Sequence, residues 1–207
     1  MKQGPFFVIE GIDGSGKTSQ VQSLISWFAS RNQAAISVVD PGGTLAGQKI
    51  REILLDRSSQ LGDKTEALLF SAARAQLVTE LIRPAMLRGA IVIADRFSLS
   101  TLAYQHRLFK HDRDDILSLI RFSNAGLRPR LTILLDLDAR IAVDRLAGRL
   151  GLDRLESKVG DRMENLRQAY LAEAKLDPSI RIVQAGRNAA TVQDEIRSII
   201  SQAIWGA

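Results

Sequence analysis

One segment leaves this chain little choice of architecture: Gly11-Ile12-Asp13-Gly14-Ser15-Gly16-Lys17-Thr18. It sets a glycine, four residues and then Gly-Lys-Thr between a short apolar run, Phe6-Phe7-Val8-Ile9, and a stretch with Val21, Leu24, Ile25 and Phe28 at helical spacing. Such a turn joins a buried strand to a helix. Its glycines let successive backbone N–H groups curl inward around an anion, and the helix from Lys17 to about Asn32 aims its positive end at the same point. The expected occupant is the polyphosphate of ATP, held by Gly11 through Thr18, with Lys17 on the β- and γ-phosphates and the Thr18 hydroxyl on Mg²⁺.

The rest of the sequence alternates strands and helices. Ser37-Val38-Val39 ends at Pro41-Gly42-Gly43; Ala90-Ile91-Val92-Ile93-Ala94 and Leu131-Thr132-Ile133-Leu134-Leu135 are apolar enough to be buried on both faces; Ile180-Arg181-Ile182-Val183 is a weaker fifth strand. Helices are expected around Ile50–Leu54, from Lys64 to Arg88 with a kink at Pro84, from Arg113 to Asn124, and from about Ala139, Asp161 and Thr191. This order predicts an α/β fold, a doubly wound five-stranded parallel sheet with helices on both faces, in a single domain over 1–207.

Composition narrows the chemistry. With no cysteine, thiolate metal sites and cysteine nucleophiles are excluded. No apolar run reaches the ~18 residues of a membrane helix, and the N-terminus lacks the pattern of a signal peptide, so a cytoplasmic location is expected. The net charge of +5 is spread among acids rather than gathered into a basic run, which favours small anionic substrates over nucleic acid. A phosphate cradle of this kind also needs an acid at the end of a neighbouring strand for Mg²⁺. Asp95 and Asp136 both satisfy that pattern.

Five blocks, taken together and in order, resemble the thymidylate kinases: Glu10 to Thr18; Asp40-Pro41-Gly42-Gly43-Thr44 with Lys49-Ile50-Arg51-Glu52; Leu68 to Arg74; Asp95 to Gln105; and Leu131 to Asp138 followed by a lid-like Arg149 to Glu156. The resemblance implies phosphorylation of dTMP to dTDP, a homodimer packed through helices such as Lys64–Arg88, and Asp95 as the metal acid. Carried over by position, it implies that Asp13 accepts the acceptor's 3′-hydroxyl, Phe70 stacks on thymine, and Arg74 donates to the base from the same helix face. Arg96 would grip the acceptor phosphate, with Ser100, Thr101, Tyr104 and Gln105 lining the nucleoside pocket and Tyr104 disfavouring a 2′-hydroxyl.

The acceptor oxygen of a nucleoside monophosphate is already anionic, so no general base is required; positive charge and alignment are. Members of the family place an arginine either in the P-loop or in a mobile lid. Gly14 carries no charge, so Arg149 and Arg154, in a lid expected at about 147–160, are the expected catalytic arginines beside Lys17 and Arg96. Three positions depart from the family: Val39 replaces a basic residue, Phe97 a Tyr or His, and His106-Arg107-Leu108-Phe109-Lys110 a glycine-bearing stretch. They leave two alternatives open, a kinase for another or modified nucleoside monophosphate, and a nucleotide-binding regulatory protein or ATPase.

Overall fold

The computed structural model describes residues 3–56, 58–108, 110–150 and 157–206, without the side chains at 108, 148–150 and 157–159. Strands β1 (Phe6–Glu10), β2 (Ala35–Val39), β3 (Ile91–Asp95), β4 (Leu131–Asp136) and β5 (Ile180–Gln184) form one parallel sheet in the order β2-β3-β1-β4-β5. The expected α/β architecture is therefore present. Helices α1 (Lys17–Ala29), α2 (Leu45–Leu55), α3 (Asp63–Leu77), α4 (Arg83–Leu87), α5 (Ser98–Thr101), α6 (Arg113–Asn124), α7 (Ala139–Leu150), α8 (Ser157–Ala174) and α9 (Ala189–Trp205) connect and cover it.

Alternation along each strand divides the interior between the two faces. Phe7, Ile9, Ile91 and Ile93 point to the side covered by Leu24 and Phe28 of α1, Tyr170 of α8 and Ile196 of α9. Phe6, Val8, Val92 and Ala94 point to the other, against Leu77, Val78, Ile82 and Ala85. Burial on both faces explains why β1, β3 and β4 read as unbroken apolar runs.

The long helix expected around Pro84 is continuous in path but not in type. Between α3 and α4, Val78–Ile82 is a π-helical turn, in which the Arg83 N–H bonds the Val78 carbonyl. Pro84 has no N–H and its ring crowds the carbonyl four residues back, so the wider turn falls just before it. A second π-helical stretch, Leu102–Leu108, follows α5.

In a parallel sheet all carboxyl ends lie on one edge, and the order reverses direction on either side of β1. The ends of β1, β2, β3 and β4 thus bring Glu10, Val39, Asp95 and Asp136 to one rim, where each strand hands over to a loop. Among the described residues no helix is long and apolar enough to cross a membrane.

Candidate active site

At that rim Asp13, Gly14, Gly16, Lys17, Thr18, Ser19, Val39, Asp40, Arg51, Asp95, Arg96 and Leu146 line a cleft of about 260 Å³. The glycine turn takes the shape its sequence predicts. Gly11, Gly14 and Gly16 have φ of 144°, 81° and 93°, and Gly16 caps α1 in the left-handed region. Lys17 folds back to donate to the Ile12 carbonyl at 3.0 Å, and the buried Ser15 hydroxyl has no partner among the described residues. A buried hydroxyl inside an anion cradle is a donor suited to a phosphate oxygen.

Two acids that the pattern left equivalent occupy different surroundings. Asp95 Oδ2 accepts from the Thr18 hydroxyl at 2.6 Å. Asp136 instead accepts from Arg167 Nε at 2.6 Å and Nη2 at 3.1 Å, and from Gln184 at 3.0 Å. Those bonds, Arg167 first, hold its carboxyl below the ordinary range despite burial. Thr18 and Asp95 form the oxygen pair in the cleft; Asp136 is committed elsewhere.

Arg96 sits at the centre. Its backbone has φ of 73°, uncommon for a side-chain-bearing residue, and its N–H bonds the Ile9 carbonyl at 3.0 Å. Nη1 donates to the Gly11 carbonyl at 3.0 Å, the Ser100 hydroxyl at 3.3 Å and the Tyr170 hydroxyl at 2.8 Å, while Nη2 reaches Asp13 Oδ1 at 2.5 Å. Asp13 is 61% exposed and stands 3.7 Å from Lys17 as well. Partial burial works to raise its carboxyl, but Arg96 and Lys17 outweigh that and hold it down. Lys17 is pushed down to about 8, by its burial first and then by the Arg96 charge, against the pull of Asp13, Asp95 and Glu10.

Of the other expected acceptor residues, Ser100 and Tyr104 are linked to this centre. Ser100 joins the Arg96 network through its hydroxyl. Burial raises the Tyr104 phenol, and Arg96, Asp13 and Glu10 are among the charges it feels. Thr101 and Gln105 are buried, the Thr101 hydroxyl without a partner and the Gln105 amide donating to Glu66 on α3 at 3.2 Å. Phe70 is half-buried on α3, and Arg74 on the same helix is buried. Arg74 donates to Asp40 at 2.5 Å and to the Phe97 carbonyl at 3.1 Å, with its guanidinium 5.2 Å from the Phe97 ring and Nη1 unpartnered. The Phe97 position thus supports Arg74 through its backbone and its ring face. Arg154 lies outside the described residues; Arg149 ends near the C-terminus of α7 with its side chain outside them.

Four contributors escape a sequence reading. Glu10 is fully buried and accepts from the Phe97 and Ser100 amides at 2.8 and 3.1 Å and the Ser100 hydroxyl at 2.7 Å; burial raises its carboxyl against the pull of Arg96. Its one signal is an acid closing an apolar run. Tyr170 of α8 has no signal beyond helical periodicity. Arg51 of α2 lines the cleft and donates to the Pro41 carbonyl at 3.0 Å, and a Cβ on Gly42 would touch both Val39 and the Arg51 side chain. The wall that has Val39 instead of a basic residue therefore has a guanidinium beside it. Arg145, one turn before Arg149 on α7, donates to the carbonyls of Gly14 at 3.1 Å and Ala185 at 3.3 Å.

The geometry is that of a paired anion site: a backbone cradle with one lysine, and across from it a guanidinium cluster. Comparison with known proteins agrees. The thymidylate kinase family model matches residues 9–196. A thymidylate kinase of Thermosipho africanus is 38% identical over 95% of this chain and 98% of its own length. Those of Desulforudis audaxviator and Clavibacter sepedonicus are 41% and 40% identical, over 98% and 94% of this chain and 89% and 93% of theirs. The chain belongs to the thymidylate kinase family.

Proposed function

We propose that the protein, acting as one kinase domain, transfers the terminal phosphoryl group of ATP to dTMP, giving ADP and dTDP. The observation that carries this reading is the cleft between the P-loop and the Arg96–Arg51 wall, with cations on both sides of a space for two phosphate groups. In the transfer, a dTMP phosphate oxygen forms the new bond to the γ-phosphorus as the bond to the β,γ-bridging oxygen breaks. That oxygen carries its negative charge on departure to ADP, so no proton need move.

The chain's own groups divide the work. Backbone amides of Gly11 to Thr18 and the Lys17 ammonium hold the triphosphate and withdraw charge from the breaking bond. Arg96, pinned by Gly11, Ser100 and Tyr170, presents its face to the acceptor phosphate, and Arg51 supplies the cation that Val39 does not. Asp13, which neutralises Arg96 in the free cleft, turns to the sugar hydroxyl when the phosphate takes its place. Tyr104 bounds the sugar, and Phe70 and Arg74 face the base from α3. Thr18 and Asp95 are the oxygen pair that would hold Mg²⁺. When bound there, Mg²⁺ would neutralise charge on the transferring phosphate groups.

The remaining charge is assigned to Arg149 and Arg154. Position 14 has no room for it: φ is 81°, and a Cβ would fall 2.8 Å from the Ala142 carbonyl. We also assign a homodimer, because Leu68 on α3 and Phe122 on the neighbouring α6 are large apolar side chains left 58% and 85% exposed.

The acceptor assignment is tested by coupled assays with ATP, Mg²⁺ and a panel of monophosphates. dTMP is expected to be turned over fastest; no turnover of dTMP alongside turnover of dCMP or UMP would replace it, and ATP consumption indifferent to any monophosphate would make the protein an ATPase. Arg149→Ala and Arg154→Ala should each lower kcat toward the ~10³–10⁵-fold worth of an inserted arginine, with ATP affinity little changed. Full turnover in the double variant would remove the lid from the mechanism. Since polyphosphate binds the charged form of Lys17, whose pKa is held at about 8, ATP affinity should drop as pH rises. Titration calorimetry should show about a tenfold loss from pH 7 to pH 9, with proton uptake at the upper end, whereas a flat profile would mean Lys17 titrates elsewhere. Analytical ultracentrifugation should give twice the chain mass, falling toward the monomer in Phe122→Asp; a wild-type monomer at micromolar concentration rejects the dimer.

A further inference from the structure

Side chains of the stretch after Gln105 converge with Arg113 on a buried carboxylate. Glu173, on α8, is 2% exposed. Its Oε1 accepts from Arg107 Nε at 2.6 Å and its Oε2 from Arg113 Nη2 at 3.0 Å, with His106 Nε2 4.0 Å from Oε1. The stretch is also closed on itself, His106 Nδ1 lying 2.8 Å from the His111 carbonyl and the His111 amide donating to the Gln105 carbonyl at 3.0 Å. Glu173 thus binds a folded loop at both its arms, one arginine before the turn and one at the first residue of α6.

Tyr170 lies three residues earlier on α8, so it shares a helix face with Glu173. Tyr170 meets Arg96 and Ser100; Glu173 meets the loop that directly continues from Tyr104 and Gln105. One face of α8 therefore holds both the phosphate-gripping arginine and the far end of the π-helical stretch that walls the nucleoside pocket. The two arginines are more than a third exposed while the carboxylate is not. Without Glu173 they return to water at small cost, but without them the carboxylate is stranded, which makes Glu173 the point at which the contact is best broken.

We infer that Glu173 is a positioning residue for the acceptor nucleoside: by tying Arg107 and Arg113 to α8, it sets where Tyr104 and Gln105 stand. The inference rests on dTMP being the acceptor, and it gives the departure at His106–Lys110 a purpose. A loop secured by arginines replaces one shaped by glycines.

Glu173→Gln keeps the shape and removes the charge. Its KM for dTMP should rise roughly tenfold, with kcat and the KM for ATP within about twofold of wild type and the thermal midpoint within ~4 °C. Amide hydrogen exchange at His111 and across Leu102–Leu108 should accelerate. Arg107→Gln, which leaves Arg113 on the carboxylate, should shift both readings in the same direction, and the double variant should be no worse than Glu173→Gln alone. If Glu173→Gln does not fold, the Arg107→Gln readings decide. Unchanged dTMP KM with unchanged exchange overturns the inference, as does an equal loss toward both substrates with a lowered midpoint, the signature of general destabilisation. Should the wild type fail to phosphorylate dTMP, exchange still decides: acceleration upholds the tie to α8 while the acceptor assignment falls, and no acceleration rejects both.

Discussion

A carboxylate with no access to water organises this cleft. Glu10 ends β1 in the interior, and burying an acid is costly unless its oxygens are met. They are met by the first amides of the segment following β3, by the Ser100 hydroxyl, and at longer range by Tyr170. Each bond also does something for its donor. The amides of Phe97 and Ser100 open α5 and lack partners of their own within it, so Glu10 stands in as a cap reached from another strand. By holding that turn, it holds Arg96 immediately before it in a backbone conformation that such a residue seldom adopts.

From that anchor the charge pattern of the cleft follows. Arg96, Lys17 and Arg51 crowd into one space and would repel each other without anions between them. In the free protein Asp13 fills part of that role, and the Lys17 ammonium is depressed by its burial first and then by the Arg96 charge. Cations assembled in advance and only partly neutralised are the arrangement that favours polyanionic ligands, since the cost of bringing the charges together has been met by folding. The parallel sheet makes this possible by delivering four strand ends to one rim.

Much of this was legible from the residues. The P-loop, the buried strands and the helix at Arg113–Asn124 are local patterns, set by glycine geometry, apolar runs and an aspartate cap, and all are found in place. Pairings between distant segments were not legible. Asp95 and Asp136 are alike in sequence, and only the neighbours they acquire, Thr18 in one case and Arg167 in the other, distinguish them. Arg51 has no assigned role in the sequence beyond its place in a family block, and Arg145 none at all, until the fold sets one beside Val39 and the other on the P-loop. The π-helical stretch at Leu102–Leu108 has no proline or glycine to announce it, so tertiary packing against α8 decided its form.

The contact between Gly14 and α7 bears on how such an enzyme can change. Because the Ala142 backbone fills the space where a side chain on residue 14 would begin, placing an arginine there takes more than one codon. The helix must first retreat, and with it Arg145 and its grip on the Gly14 carbonyl. Intermediates along that route would have a loosened phosphate loop before they had a new cation. Glycine at this position is therefore held in place by the main chain of a neighbouring helix.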